Sequence, residues 1–142
     1  MTPSLSGSLR CMTRIPELLE QYVAAVRAKD VDAFVSLYAD DVVVFDMWGV
    51  PAYRGVGAWR ATVEGWFSSL GDESVGVSFE DVEARGPLAH MLVRYAGLSP
   101  EGEELRAMKN RMTWVVEDGK VVHEHSSAPA DLATGKVMLG EE

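Results

Sequence analysis

Hydrophobic and polar positions divide the chain into a front half with helical spacing and a back half that alternates. Ile15, Leu18, Leu19, Tyr22, Val23 and Val26 fall on one helical face, with Thr13 placed to cap the helix and Pro16 in its first turn. Lys29-Asp30 ends that run. Asp30 can cap a second helix, in which Val31, Phe34, Val35 and Tyr38 form the packed face. After a turn region spanning Gly49 to Gly57, the spacing of Trp59, Val63, Trp66, Phe67 and Leu70 predicts a third helix with large apolar side chains.

Between the second and third helices lies the stretch Tyr38-Ala-Asp-Asp-Val-Val-Val-Phe-Asp-Met-Trp-Gly49, where a strand begins near Val42. Alternation puts Val42, Val44, Asp46 and Trp48 on one face, and Val43, Phe45 and Met47 on the other. Both faces are apolar except at Asp46, so the strand is expected to be covered on both sides. An unpaired charge in such a place is costly. Two readings of Asp46 stay open: a pocket carboxylate, or a residue at the fraying strand end that caps the turn marked by Gly49 and Pro51.

From Val75 the period is two. Val75, Val77 and Phe79 alternate until the phase slips to Val82, which predicts a bulge near Glu80-Asp81. Leu88 to Leu98 reads as a second strand of this run, Leu105 to Val116 as a third and Val121 to Ser127 as a fourth, the short turns between them making an antiparallel meander. The order helix, helix, strand, helix and then strands defines an α+β class: a curved, mainly antiparallel sheet wrapped over three helices, leaving a cone closed at one end. Residues 14–129 form one domain in this reading. Residues 1–13 are expected as a disordered leader, with Met12 as a candidate start, and residues 130–142 as a polar tail.

Composition narrows the function classes. The chain has 142 residues, 47 % hydrophobic and 25 % charged, as a folded globular domain does. A formal net charge of -9 without a basic cluster argues against nucleic acid or an anionic membrane as partner. No apolar run suits a bilayer span or a signal peptide, so a cytoplasmic protein is expected. The single cysteine, Cys11, excludes an intrachain disulfide and a cysteine-rich metal site.

Three polar constellations could carry chemistry. Asp46 is the first. The second is Arg111, which shares a strand face with Lys109, Thr113 and Val115, while Asn110, Met112 and Trp114 point the other way. In the third, His123, His125 and Ser127 share a face; two histidines so spaced need a third ligand to hold a metal, and His90 is the only other histidine. No metal or other cofactor is expected, and these histidines are read as pocket or interface residues. His125 could also shuttle a proton near neutral pH. Trp48, Trp59, Trp66 and Met112 are candidate pocket walls for a flat apolar ligand, with Asn110 and His123 as polar contacts. No G-x-S-x-G, G-x-G-x-x-G or H-E-x-x-H string occurs.

The stretch Gln21 to Phe34, continued by Tyr38 to Gly49, resembles the opening of the ketosteroid isomerase family within the NTF2-like (SnoaL-like) superfamily. The ending Asn110-Arg-Met-Thr, then Asp118-Gly-Lys-Val-Val-His-Glu-His-Ser-Ser-Ala-Pro129, is similar to SnoaL-like and kinase-association-type members. The resemblance implies that Asp46 stands where those isomerases place the general base, and Tyr22 where they place the tyrosine that hydrogen-bonds the enolate oxygen. Where they carry a second, protonated acid, this chain has Arg111, or Asn110 if the register slips by one. An arginine there would stabilise an enolate, but would lower the proton affinity of a nearby Asp46 and suit an anionic ligand.

The resulting expectation is a small-molecule enzyme of isomerase, cyclase or dehydratase type, homodimeric by resemblance, with Asp46 as base, Tyr22 and Arg111 steadying the oxyanion, and His125 nearby. The competing expectation is a non-catalytic module that binds a small acidic or aromatic ligand and mediates dimerisation. Arg111 salt-bridged to Asp46 would favour binding; a lone Asp46 beside Tyr22 would favour proton transfer. Epoxide hydrolysis ranks last, since it needs two carboxylates around a water and the sequence offers one.

Overall fold

The computed structural model describes residues 3–140, and for residues 3–13 the backbone alone. Helix α1 runs Pro3–Ala28, so it starts well before the expected Ile15, and Pro16 stands inside it rather than in its first turn. The side chains of Cys11 and Met12 lie outside the described residues. Ile15, Leu18, Tyr22, Ala25 and Val26 form the buried stripe of α1. The helix stops at Lys29, whose φ of 53° is left-handed. The Lys29 ammonium donates to the carbonyls of Gly71 and Glu73, 2.8 Å from each. Helix α2, Val31–Val35, is capped as expected: the Asp30 carboxylate accepts from the Ala33 N–H at 3.1 Å.

Strand β1 is Tyr38–Phe45, β2 is Tyr53–Arg54, and α3 is Val56–Ser69. Strands β3 (Ser74–Arg85), β4 (Leu88–Leu98), β5 (Glu104–Glu117) and β6 (Lys120–Ser127) follow. They form the expected meander within a curved, unclosed six-stranded sheet of order β2-β1-β6-β5-β4-β3. The expected bulge is present: the β3–β4 register shifts between Glu80 and Glu83, and Asp81 has a φ of 52°. The parallel pairing of β1 with β6 and the two-residue β2 were not foreseen. Pairing across most of the chain leaves no periodic signal, and neither does a strand of two residues.

The three helices pack on the concave face of the sheet, and Val42, Val44, Met112, Trp114 and Val116 fill the space between. Contrary to the expectation from its two apolar faces, β1 is covered on one side only. Phe45 is exposed on the open face, where it packs edge-on against His123 and His125, with ring centroids 4.7 and 5.8 Å away.

The C-terminal stretch is more ordered than a plain tail. Ala130 bridges Val137, and the Asp131 carboxylate accepts from the N–H groups of Ala133 and Thr134. The chain then returns to β5, where the Lys109 N–H donates to the Leu139 carbonyl at 2.9 Å. Strand β6 has by then ended, with Ser127 opposite Arg111, so the returning segment takes up part of an otherwise open strand edge. No helix among the described residues is long and apolar enough to cross a membrane.

Candidate functional site

The open end of the cone holds a cavity of about 520 Å³. Tyr22, Phe34, Trp59, Val63, Trp66 and Leu70 supply its helical wall, and Val75, Tyr95, Met108 and Asn110 part of its sheet wall. Of the remaining polar lining residues, Asp46 stands just past β1, Glu124 and Ser126 on β6, Thr62 on α3 and Arg106 on β5. A mainly apolar chamber with a few placed polar groups is the form of a small-molecule site.

Asp46 follows the last residue of β1 and keeps the inward phase of Val42 and Val44, so it is both at the strand end and on the cavity wall. It is half-buried, and burial raises its proton affinity above that of an ordinary aspartate, opposed by a backbone hydrogen bond at Met47. Among the described residues no Lys or Arg forms an ion pair with it.

Glu124 is the neighbour the sequence reading missed. It pairs with Val44 across the parallel β1–β6 ladder and lies on the inner face, 3 % exposed. Its Oε1 accepts from the Tyr38 hydroxyl at 2.6 Å and from the Trp114 indole N–H at 2.8 Å. Burial pushes its pKa up to about 7; the two donors pull down, and the charge of Asp46 pushes up.

The signal that would have found Glu124 is a bulge. In the β5–β6 ladder Val116 faces Val121 while Val115 faces His123, so Val122 is the extra residue and the alternation changes phase there. Val121 points into the core, yet His123 and His125, two and four residues on, point outward, and Glu124 and Ser126 point inward. A one-residue slip exchanges the faces of every side chain beyond it.

Tyr22, expected in the site, is there, and its hydroxyl lies 2.8 Å from that of Tyr95 on β4, a residue the sequence reading did not single out. Both phenols are held well above their ordinary titration range by burial, so both are protonated donors. Tyr95 also interacts with the side chain of Asn110. Asn110 is buried, its Oδ1 has no partner among the described residues, and its Nδ2 reaches the sulfur of Met47 at 3.7 Å.

Trp59 and Trp66 wall the cavity as expected, and Trp48, half-exposed, forms part of its rim. Met112 is on the inner face but packs in the core, away from the cavity. Arg111, His123 and His125 are corrected: all three are on the outer face of the sheet. Arg111 pairs with Leu92 and Ser127 in the ladder and is exposed, so it stabilises no oxyanion in the cavity. The cation that does reach the cavity is Arg106, at the rim, where it is ion-paired with Glu73 and packs over Gly97. Any side chain at Gly97 would crowd that guanidinium, since an added Cβ would lie 3.2 Å from its central carbon. Among the described residues no cluster of His, Cys, Asp and Glu could hold a metal.

A family model described as a SnoaL-like domain matches residues 19–124. No curated protein matches the chain. Among solved structures it is similar to an NTF2-like protein of unknown function from Pseudomonas putida KT2440, 26 % identical, with a TM-score of 0.71 and coverage of 92 % of this chain and 94 % of the other. An LEH-like epoxide hydrolase from M. tuberculosis matches at 16 % identity and a TM-score of 0.61, over 80 % of this chain and 81 % of that one. A protein proposed to be a ketosteroid isomerase, from Kribbella flavida DSM 17836, matches at 15 % identity and a TM-score of 0.61, over 84 % and 80 % of the two chains. At those identities the last two show a common fold and no more.

Proposed function

The chain belongs to the SnoaL-like domain family, and from that premise we propose that it is a small-molecule enzyme of the ketosteroid isomerase-like kind, moving protons next to a carbonyl. Asp46 is the base. The observation that carries this reading is a half-buried carboxylate with raised proton affinity and no cationic partner among the described residues, on the wall of a mainly apolar chamber. Raised affinity moves an aspartate toward the working pH, where a base is most effective.

The tyrosine pair supplies the other half. If Tyr22 donates to Tyr95, the Tyr95 O–H is left to donate to a substrate carbonyl whose oxygen becomes negative as Asp46 takes the adjacent proton. A donor fixed in place before charge develops lowers the barrier without reorganisation. The same hydrogen bond polarises the Tyr95 O–H, which strengthens it as a donor. The aromatic wall of Phe34, Trp59 and Trp66 suits an apolar substrate body.

The binding-module reading loses support from the same geometry. A salt bridge from Arg111 to Asp46 would have favoured it, and Arg111 is on the other face of the sheet. The experiment is exchange of α-hydrogens for deuterium over a panel of ketones that includes a β,γ-unsaturated ketosteroid. Exchange by the wild type that falls by about 100-fold or more in Asp46→Asn is the expected result. Full exchange by Asp46→Asn would overturn the assignment of the base. Binding of panel members without exchange would return the protein to the binding class.

A further inference from the structure

Glu124 is a buried acid that this reading leaves without a task. Its Oε1 takes both protein donors, Tyr38 and Trp114. Its Oε2 accepts from no described residue and is not among the buried atoms lacking a partner, so it is the oxygen left to the cavity that Glu124 lines. Glu124 sits opposite Val44, two residues before Asp46, so the two carboxyls are neighbours on the inner face of adjacent parallel strands. Of the titratable groups, Tyr38 on β1 and Asp46 just past it act on Glu124, whose own charge acts on Tyr22 from α1 and Tyr95 from β4, and none of these is a cation.

Two neighbouring carboxyls that no cation neutralises do not both ionise readily, and the better buried one keeps its proton. Asp46 is half-buried and Glu124 fully buried, so the pair is asymmetric: Asp46 is the acceptor and Glu124 the holder of a proton. A simple isomerase needs one base, which takes a proton from one carbon and returns it to another. A site that holds a base and a separate acid on one wall can break two bonds at once.

We propose that Glu124 is a second catalytic group, the acid that protonates a leaving hydroxyl, and that the chemistry of the site is the dehydration of a β-hydroxy ketone. This inference rests on Asp46 being the base. Asp46 takes the proton from the carbon between the carbonyl and the carbinol. The electron pair of that C–H bond forms the new C=C bond, and the C–O bond to the hydroxyl breaks. The hydroxyl leaves with the Oε2 proton of Glu124 as water. Asp46 ends protonated and Glu124 ionised; transfer of one proton from Asp46 to Glu124 through the released water restores both. No oxidant, reductant or metal enters the balance.

The test uses the aldol adduct of acetone and benzaldehyde together with its O-acetyl ester, in which acetate leaves without needing a proton. Three rates are followed: deuterium exchange at the α-carbon, elimination from the alcohol and elimination from the ester. In Glu124→Gln, whose side-chain carbonyl can still accept from Tyr38 and Trp114, we expect elimination from the alcohol to fall by about 100-fold or more, and by about 20-fold or more beyond any fall in exchange and ester elimination. Asp46→Asn should lose all three. A merely structural glutamate would lower all three together in Glu124→Gln, and that result, or no loss in any of them, would overturn the proposal. Wild-type protein that exchanges through Asp46 but eliminates no water would also overturn it while leaving the base intact. Absence of exchange from every substrate would remove the base, and this inference with it.

Discussion

The hydroxyls of Tyr22 and Tyr95 lie 2.8 Å apart, joining α1 to β4 inside the cavity. One of the two must donate to the other, and only the acceptor keeps its proton for a substrate. Tyr95, which contacts Asn110 and feels the charge of Asp46, is placed for that task. Tyr95→Phe is therefore expected to lower kcat by about 100-fold, the effect of removing one oxyanion donor. Tyr22→Phe should lower it by about tenfold or less and cost about 1 kcal/mol of stability, the net worth of a hydrogen bond. Steady-state kinetics and urea unfolding of the two variants check the order; equal losses in kcat would show that Tyr22 faces the substrate itself.

Glu124 makes stability pH-dependent with a definite sign. Its folded pKa of about 7 is above the ordinary value of 4.5, so between those values the unfolded chain releases a proton that the folded one keeps. Stability therefore falls as pH rises through that window and levels off above it, by about 3 kcal/mol in all. Glu124→Gln removes the titration. Unfolding curves at several pH values should show the variant gaining on wild type from about pH 4.5 to 7, with no further gain above. A difference that does not change with pH would mean that Glu124 titrates alike in the folded and unfolded chains.

Trp114 donates to the same glutamate oxygen from a fully buried position. Trp114→Phe keeps most of the ring and deletes the N–H, which leaves Tyr38 as the one donor to Oε1. Loss of a hydrogen bond to the ionised form raises the pKa further, so the pH window described above should extend upward. The expected cost at neutral pH is about 1 to 3 kcal/mol, and the shift itself is read by following the Glu124 carboxyl carbon by NMR across pH.

Arg111 stands on the outer face of β5, across the sheet from the cavity. Arg111→Ala should leave exchange and turnover within about twofold of wild type, because the exposed guanidinium has the sheet between it and the substrate. Asn110→Ala, its neighbour in sequence but on the inner face and buried, should lower turnover by about tenfold or more. The two measured side by side test which face of β5 carries the chemistry.

Much of this architecture was written in local patterns. The stripe from Ile15 to Val26, the Asp30 cap, the aromatic face of α3 and the bulge at Asp81 depend on residues within a few positions of each other, and period and capping chemistry report such things directly. Asp46 and Tyr22 were legible as inward-facing because β1 and α1 keep their phase from core to cavity, and the resemblance supplied their place in a site. The polar group beside Asp46 was not. The extra residue at Val122 turns His123 and His125 outward and Glu124 inward, and nothing local distinguishes that slip from unbroken alternation. Tyr95 meets Tyr22 across 73 positions, and β1 lies beside β6 only because the meander curves back over the helices. The sequence by itself determined the three helices, five of the strands, their order and an inward-facing carboxylate. Only the tertiary structure decided which face of β5 and β6 looks into the cavity, because a face depends on register, and register is set by partners distant in the chain.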